Sequence, residues 1–366
     1  MSVLALETSC DDTCAAVIDD DGRIRANVIS SQTAHEDFGG VVPEIASRHH
    51  LELVNAIVQR ALSVASIGLD DVQLVAATQG PGLVGALLVG LSTAKALAAA
   101  RELPFAPVDH LQGHVAANFL LPVDADEAAG REPGAGDGGA PAPPDGAFEP
   151  PFVCLIASGG HTLLAHVREH DGFEVLGRTL DDAAGEAFDK GARMLGLGYP
   201  GGAALERLAR DGDAHAFVFP GSRGERARGG RGAHRQAFAQ SLDFSFAGLK
   251  TALLYKLREL SGERAGERAA DLAASYQAAI VDSLIDRAER ALEQTGSDRL
   301  AVGGGVAANG PLRERLAAIG VDLNVPARVL CTDNAAMIAS AARFGEQLAY
   351  PRYLGLDAYA TGERAR

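Results

Sequence analysis

Apolar alternation divides the first part of the chain into short strands followed by helices. The pattern predicts strands at 3–8, 14–18 and 24–29, and a helix from 43 to about 65 with a proline in its first turn. A strand at 72–78 is expected to lead through the turn QGPGLVG into an Ala/Leu-rich helix. Another strand at 105–108 leads into a short helix that carries two histidines.

The opening pattern returns about 150 residues later. The segment FVCLIASGGHTLLAHVRE predicts a strand, a glycine-polar turn and a second strand, and EVLGRTLDD can form a third. The later part of the chain is expected to hold helices at 184–195, 202–210, 245–259 and 269–294 and strands at 300–302 and 321–325. Two strand meanders, each followed by helices, favour an α/β fold of two similar lobes around a cleft.

Two segments interrupt this pattern. Residues 129–146 read AGREPGAGDGGAPAPPDG, in which 10 of 18 residues are Gly or Pro, and this composition predicts a flexible excursion. Residues 220–235 hold five arginines, five glycines and one acid. We therefore expect an N-terminal lobe at 1–121, a flexible insertion at 122–151, a C-terminal lobe at 152–325 with an Arg/Gly-rich loop at 220–235, and a C-terminal helix within 326–366 that packs back on the first lobe.

Composition narrows the class of protein. The 366 residues are 47% hydrophobic and 22% charged, which is ordinary for a folded globular protein. A formal charge of −15 argues against a protein coated in nucleic acid, although a local basic surface is compatible with it. The four cysteines match neither a disulfide framework nor a zinc ribbon, and no secretory signal or membrane-length apolar run is evident. These features favour a cytoplasmic protein with free thiols.

Polar residues concentrate at the two strand-to-strand turns. Glu7, Ser9, Asp11 and Asp12 belong to the first turn, and the second is the stretch SGGHT at 158–162. Backbone N–H groups of a glycine-rich turn can surround phosphate oxygens, and carboxylates opposite can hold a cation or orient a polar group. Two ordinary polar hairpins are the alternative interpretation.

Two further segments carry candidate binding residues. The stretch VGGGVAAN ends a strand and opens a helix at Asn309, a turn suited to a nucleotide or phosphate, although no Walker A lysine follows. The stretch DDAAGEAFDKGARMLGLGYPGG adds Asp189, Lys190, Gly201 and Gly202. A solvated helix end is the alternative there.

The histidine pair predicts a metal site. His110 and His114 share one helix face behind a possible cap at Asp109. Two histidines supply half of a tetrahedral site, and a carboxylate such as Asp333 would complete the protein ligands. The alternative is a partly exposed helix with two unconnected histidines.

Taken together, the motifs resemble one family, the bacterial tRNA N6-adenosine threonylcarbamoyltransferases. The matching stretches run in order from residue 6 to 339: ETSCDDT, GGVVPEIASRHH, QGPGLVGALLVG, DHLQGH, ASGGHT, DDAAGEAFDK, YPGG, DFSFAGLKTA, GGGVAAN and CTDNAAMIA. The resemblance implies a two-lobed actin-like ATPase fold, as in sugar kinases and Hsp70 chaperones. It also implies transfer of threonylcarbamoyl from its adenylate to N6 of adenosine 37 in tRNAs that read codons beginning with A.

The resemblance also implies a set of site residues. His110, His114 and Asp333 would bind one divalent metal, with Fe²⁺ expected and Zn²⁺ as the alternative. The adenylate would be bound by Ile156, Ala157, Ser158, Gly159, Gly160, Asp189, Gly202 and Asn309. Glu206 would also contact the substrate, although family members often carry Asp there. Asp11 or Asp12 would orient or deprotonate the adenine amine, a role inferred from placement alone. The implied partners are tRNA, a degenerate paralogous subunit and a small P-loop ATPase.

Three other functions fit parts of the sequence. A small-molecule kinase of the same fold would have no use for the histidine pair, and an inactive scaffold would not need His110, His114 and Asp333. A metal-dependent peptidase, an old label of this family, would need His-Glu-x-x-His. Here Leu111 stands in the position of the general base. We therefore expect a metal that binds substrate without activating water.

Overall fold

The computed structural model describes residues 1–121, 148–220, 241–260 and 263–361. The chain forms two compact units. Unit 1 comprises Met1–Pro150, Glu169–Phe173 and Asn324–Arg366, and unit 2 comprises Pro151–Arg168 and Glu174–Leu323. The expected flexible excursion at 129–146 and nearly all of the Arg/Gly-rich loop, from 221 onward, lie outside the described residues.

Within the described ranges, ten strands form two sheets. They are β1 (Val3–Glu7), β2 (Asp12–Ile18), β3 (Ile24–Ser31), β4 (Leu74–Gly80), β5 (Phe105–Asp109), β6 (Phe152–Ala157), β7 (Thr162–Glu169), β8 (Gly172–Arg178), β9 (Arg299–Gly303) and β10 (Asp322–Asn324). The first sheet has the order β3-β2-β1-β4-β5 and the second has the order β10-β9-β6-β7-β8.

The two sheets repeat one topology. In the first, β1 pairs antiparallel with β2 and parallel with β4; in the second, β6 pairs antiparallel with β7 and parallel with β9. Each sheet therefore begins with a strand meander and then adds two later strands beside its first strand. The prediction of duplicated α/β lobes is confirmed.

Eleven α-helices occur among the described residues. They are α1 (Pro43–Ala65), α2 (Val84–Ala100), α3 (His110–Ala116), α4 (Ala184–Met194), α5 (Gly202–Ala209), α6 (Ala247–Leu260), α7 (Glu263–Glu267), α8 (Ala269–Thr295), α9 (Gly310–Ala317), α10 (Arg328–Cys331) and α11 (Ala335–Ala342). Short 3₁₀ helices lie at Thr33–Phe38, Leu69–Asp71, Ala117–Phe119, Gly305–Ala308 and Arg352–Gly355. None of the helices in these ranges is long and apolar enough to cross a bilayer.

Alternation along β1 decides which side chains face the candidate site. Leu4 and Leu6 join a buried cluster with apolar residues of α1 and α2. Successive side chains of a strand point to opposite faces, so Glu7 belongs to the face of Val3 and Ala5. Helix α11, whose eight residues are all buried, also packs on β1 and β2. Glu7 therefore ends an apolar strand on the face away from α1 and α2.

Some element boundaries differ from the expected ones for reasons that lie outside the local pattern. The strand expected at 72–78 begins at Leu74, because Val72 N–H closes the preceding 3₁₀ turn on the Leu69 carbonyl. The helix expected from 245 begins at Ala247. Its first N–H groups, on Phe246 and Ala247, donate to the Asp181 carboxylate at 2.7 and 3.2 Å.

Candidate metal centre and polar ring

The histidine helix begins where β5 ends. Asp109 caps α3, because its Oδ1 accepts hydrogen bonds from the Leu111 and Gln112 N–H groups at 2.8 and 3.1 Å. The predicted cap is confirmed. His110 and His114 lie one turn apart and are both buried, with ring centroids 4.7 Å apart.

Asp333 reaches the histidines from the segment that enters α11. Asn334 caps that helix through an Oδ1 that accepts from Met337 N–H at 3.0 Å. Gly113, between the two histidines, allows α3 to approach α11, since a Cβ at this position would meet Ile338 Cδ1 at 2.7 Å. Asp333 Oδ1 lies 3.6 Å from His110 Nε2 and 3.4 Å from His114 Nε2.

The residues present fit a divalent metal. The ligand atoms of His110, His114 and Asp333 all lie within 4.8 Å of one another. Two ligands bound tetrahedrally to a zinc-like ion, each at about 2.1 Å, lie about 3.4 Å apart, close to both Asp333 distances. Within the part of the chain that the structure describes, both buried ring nitrogens of His114 lack a hydrogen-bond partner. Such orphaned atoms are rare in folded proteins, and a bound ion would satisfy one of them.

Glu7 contacts the first of the two histidines. Its Oε2 lies 3.0 Å from His110 Nδ1 and accepts from Thr78 Oγ1 at 2.6 Å, and its Oε1 accepts from the Ser9 N–H. Burial alone would raise the pKa of the Glu7 carboxyl, but the charge and hydrogen bond of His110 hold it below its usual value. Burial would likewise lower the pKa of His110, but the Asp333 and Glu7 carboxylates raise it to about 9. Without a metal, His110 is therefore a cation between two carboxylates.

Asp11 lies in the turn between β1 and β2, Asp12 is the first residue of β2, and both are partly buried. Burial is the largest cause that raises the pKa of Asp12, to about 7; a hydrogen bond with Ser31 opposes it, and the charges of Asp333, Asp11 and Glu7 add to it. Carboxylates from three segments thus act on one another in unit 1. A cation bound among them would relieve that repulsion.

His50 forms hydrogen bonds with the residues that flank Asp11 and Asp12. It is buried in α1, where its Nδ1 lies 2.8 Å from Thr13 Oγ1 and its Nε2 lies 3.0 Å from the Cys10 carbonyl oxygen. Burial is the largest effect on the His50 imidazole and lowers its pKa. The last histidine of the GGVVPEIASRHH motif therefore contacts the residues on both sides of Asp11 and Asp12, through the Cys10 carbonyl and the Thr13 hydroxyl.

In unit 2 the predicted glycine-polar turn follows β6. Ile156 and Ala157 are buried strand residues, whereas Gly159 and Gly160 are exposed. Ser158 Oγ accepts from His161 N–H at 3.1 Å, and the Ser158 carbonyl accepts from Gly185 N–H, at the start of α4, at 3.1 Å. The turn is therefore tied to the helix that carries Asp189.

The other predicted residues of unit 2 meet through side-chain hydrogen bonds. Asp189 Oδ1 accepts from Gly201 N–H at 2.8 Å, directly before Gly202 begins α5. Glu206, one turn further along α5, accepts from Asn309 Nδ2 at 3.0 Å. Asn309 Oδ1 in turn caps α9 by accepting from Leu312 N–H at 3.0 Å.

These contacts close into a polar ring at the carboxyl ends of β6 and β9. Gly304, which follows β9 with φ +87°, lies so close to the Ala157 carbonyl that a Cβ would meet its oxygen at 2.4 Å. We define the polar ring as Ala157–Gly160, Gly185, Asp189, Gly201–Gly202, Glu206, Gly304 and Asn309. In open α/β sheets, ligands bind beyond the carboxyl ends of the strands.

The side chains of Asn309 and Lys190 are engaged in contacts within the protein. The amide of Asn309 is already used, because Nδ2 donates to Glu206 and to Gln277 Oε1 and Oδ1 caps α9. Lys190 pairs with Asp182 at 2.7 Å and Glu186 at 2.9 Å, so its cation stabilises the start of α4.

Sequence reasoning missed three contributors. Glu7 was placed in the polar turn but not paired with His110, and neither Thr78 nor Gln277 was singled out. The available signal for Glu7 was a carboxylate at the end of an otherwise apolar strand. No local signal pointed to Gln277, which is one residue of a long helix with 17 buried positions.

The chain is similar to proteins of known family. The family model TsaD, tRNA N6-adenosine threonylcarbamoyltransferase, matches residues 23–128 and 140–340. A protein of that name from Clostridium perfringens strain 13 is 44% identical over 347 residues, which cover 93% of this chain and 92% of the relative. One from Clostridium botulinum strain Hall is 44% identical over 351 residues, covering 94% and 92%.

A solved structure shares the fold at low identity. Full-length HypF in its phosphate- and nucleotide-bound form superposes with a TM-score of 0.54 at 14% sequence identity, covering 93% of this chain and 46% of HypF. At that identity the likeness concerns the fold alone. The expected actin-like architecture is confirmed.

Proposed function

The chain belongs to the tRNA N6-adenosine threonylcarbamoyltransferase family, and we propose on that premise that it transfers threonylcarbamoyl from threonylcarbamoyl-adenylate to tRNA. The acceptor would be N6 of adenosine 37 in tRNAs that read codons beginning with A. The single observation that carries the proposal beyond the family name is the convergence of His110, His114 and Asp333 within 4.8 Å.

His110, His114 and Asp333 would hold one divalent metal. Ferrous iron is the expected ion, and zinc also suits two imidazoles and a carboxylate. When bound, the ion supplies positive charge that stabilises negative charge developing on the reacting carbonyl and phosphate oxygens. The orphaned nitrogens of His114 and the acidic surroundings of His110 support a cation at this place.

The polar ring would bind the AMP part of the donor. Exposed Gly159 and Gly160 offer backbone N–H groups to phosphate oxygens, and Asp189, Gly202 and Glu206 would contact the nucleoside. Ile156 and Ala157 are buried, so they would contribute through the backbone at the end of β6. Because the Asn309 amide is used by Glu206, Gln277 and α9, Asn309 would act mainly by fixing the Glu206 carboxylate and the Gly310 backbone.

The chemical step forms one bond and breaks another. N6 of adenosine attacks the carbonyl carbon, the bond from that carbon to the phosphate oxygen breaks, and AMP leaves. The attacking nitrogen must also lose a proton. A pKa of about 7 suits Asp12 to accept it at neutral pH, and Asp11 is the alternative in the same turn.

The peptidase alternative lacks its base. In a helix-borne zinc peptidase the residue after the first histidine is a glutamate that deprotonates a water molecule. Leu111 occupies that position and cannot take up a proton. An enzyme that handles an acyl-adenylate benefits from this absence, because hydrolysis would destroy the donor.

The proposal also includes partners and location. Because tRNA is the proposed acceptor, we expect a cytoplasmic enzyme. By family resemblance it would act with a degenerate paralogous subunit and a small P-loop ATPase.

Substitution of the metal ligands tests this proposal. We expect His110→Ala and His114→Ala to lose bound metal and to abolish threonylcarbamoyl transfer, while circular dichroism shows that the fold is intact. His161→Ala, in the turn after β6, is a control histidine that should keep the metal. Full transfer by a metal-free, folded His114→Ala protein would contradict the proposal. Peptidase activity that copurifies with the wild type and disappears in both variants would favour the peptidase alternative.

A further inference from the structure

The Glu7 carboxylate is fixed before any ligand binds. It is fully buried at the end of β1 and receives hydrogen bonds from three separate segments. Thr78 Oγ1 on β4 donates to Oε2 at 2.6 Å, the Ser9 N–H donates to Oε1, and His110 Nδ1 lies 3.0 Å from Oε2. A carboxylate held by donors on both oxygens cannot rotate without breaking at least one of these bonds.

The contact with His110 determines which ring nitrogen carries the proton. An ionised carboxylate can only accept hydrogen bonds, so Nδ1 of His110 must be the donor. The other nitrogen, Nε2, then faces Asp333 Oδ1 at 3.6 Å. In the neutral imidazole this arrangement leaves the Nε2 lone pair on the side of the metal ligands.

His114 offers a contrast on the same helix face. Among the described residues neither of its ring nitrogens receives or donates a hydrogen bond. The protein therefore selects the tautomer and the ring orientation of one histidine and leaves those of the other unspecified.

We propose that Glu7 is a positioning residue that holds His110 in its metal-binding tautomer and thereby sets the affinity of the His110–His114–Asp333 site. This inference rests on the metal site of the proposed function. Carboxylates that orient metal-bound histidines typically contribute 10- to 100-fold in metal affinity.

Glu7→Gln is the direct test. The amide keeps the shape of the side chain but offers one acceptor oxygen where the carboxylate offers two, so Ser9 N–H, Thr78 and His110 cannot all donate to it. Ser9 Oγ, 3.2 Å from His110 Nδ1, then remains as a neutral acceptor near that nitrogen. We expect the Kd for Zn²⁺, measured by chelator competition on the purified chain, to rise about 10- to 100-fold. The Co²⁺ absorption spectrum should shift, and ¹⁵N resonances of the Zn²⁺-loaded variant should show that His110 no longer has one fixed Nδ1–H.

Thr8→Val is the matched control. Thr8 is adjacent to Glu7 and buried; its Oγ1 donates to the Ala86 carbonyl at 2.9 Å and accepts from Gly90 N–H at 3.1 Å, both on α2. This variant loses two buried hydrogen bonds next to Glu7 without touching His110, and we expect its zinc affinity to stay within twofold of wild type.

The outcomes separate this inference from the proposed function. A wild-type chain that binds neither Zn²⁺ nor Fe²⁺ would overturn this inference together with the metal site of the proposed function. If the wild type binds zinc and Glu7→Gln binds it with the same affinity, only the role of Glu7 is overturned. If Glu7→Gln does not fold, Thr78→Val decides, since it removes one of the donors that fix Glu7. It should weaken zinc binding severalfold more than Thr8→Val, and equal affinities would overturn the inference.

Discussion

Replacement of Asp12 by Asn should stabilise the metal-free protein in a strongly pH-dependent way. In the folded chain, burial is the first cause of the raised pKa of Asp12, and neighbouring carboxylates add to it, so the pKa rises from 3.8 to about 7. The folded state therefore holds a proton on Asp12 that the unfolded chain has already released. Ionisation of Asp12 opposes folding wherever the pH exceeds 3.8.

The stability gained by Asp12→Asn follows from the size of this pKa shift. Each pKa unit corresponds to about 1.4 kcal/mol, so the full shift is about 4 kcal/mol at pH 7 and above. This is an upper bound, because part of Asp12 remains in contact with solvent. At pH 5 the same linkage gives a destabilisation of about 1.6 kcal/mol, and below pH 3.8 this destabilisation vanishes. The gain from Asp12→Asn should thus grow between pH 4 and pH 7 and then stay constant.

Urea unfolding of chelator-treated protein at several pH values measures this gain. Asp20→Asn is the control, because Asp20 is an exposed carboxylate in the same unit, and its substitution should change stability by less than about 0.5 kcal/mol at every pH. A gain for Asp12→Asn that does not depend on pH, or a loss of stability at pH 8, would refute the reasoning. If Asp12 is also the general base, the stabilised variant should lose transfer activity at saturating substrate.

Two further predictions concern substrate binding. Gln277→Leu removes the acceptor 2.9 Å from Asn309 Nδ2 and leaves a buried N–H unpaired, which should lower stability by about 1–3 kcal/mol and raise the KM for the adenylate. Gln277→Glu keeps an acceptor and should preserve the KM, and steady-state kinetics compare the two variants. An unchanged KM in Gln277→Leu would contradict the prediction. Changing the five arginines between 220 and 235 to glutamine should weaken tRNA binding and flatten its salt dependence, because each phosphate contact contributes to the slope. Lysine at the same five positions should retain the slope, and a glutamine variant with wild-type affinity at low salt would refute the idea.

The alternation of apolar residues was sufficient to predict the repeated meanders, because each strand of a sheet shows its own period in the sequence. The Asp109 cap and the shared face of His110 and His114 were equally local, since a cap and an i, i+4 pair lie within one helical turn. The stretch CTDN at a helix start indicates Asp333 as a candidate third ligand, and the family resemblance implies the same role. Its approach depends on Gly113 and on the packing of α3 against α11, which local periodicity does not encode.

The features that were missed depend on contacts between distant segments. Glu7 pairs with His110 across 103 positions and with Thr78 across 71. The start of α6 depends on Asp181, which precedes Phe246 by 65 positions. Such pairs become neighbours only when the strands and helices are assembled, and a carboxylate at a strand end has many possible partners until then.

Formation of the modified nucleoside at one tRNA position is the most direct test of the central claim. The purified protein would be incubated with its two partner proteins, threonine, bicarbonate, ATP and a tRNA that reads a codon beginning with A. The tRNA would then be cut into mapped fragments for mass spectrometry. The account predicts threonylcarbamoyl on adenosine 37, none on a tRNA with guanosine at that position, and none with His114→Ala in place of the wild type. Wild-type protein that yields no modified adenosine in this mixture, or a His114→Ala variant that yields as much as the wild type, would contradict it.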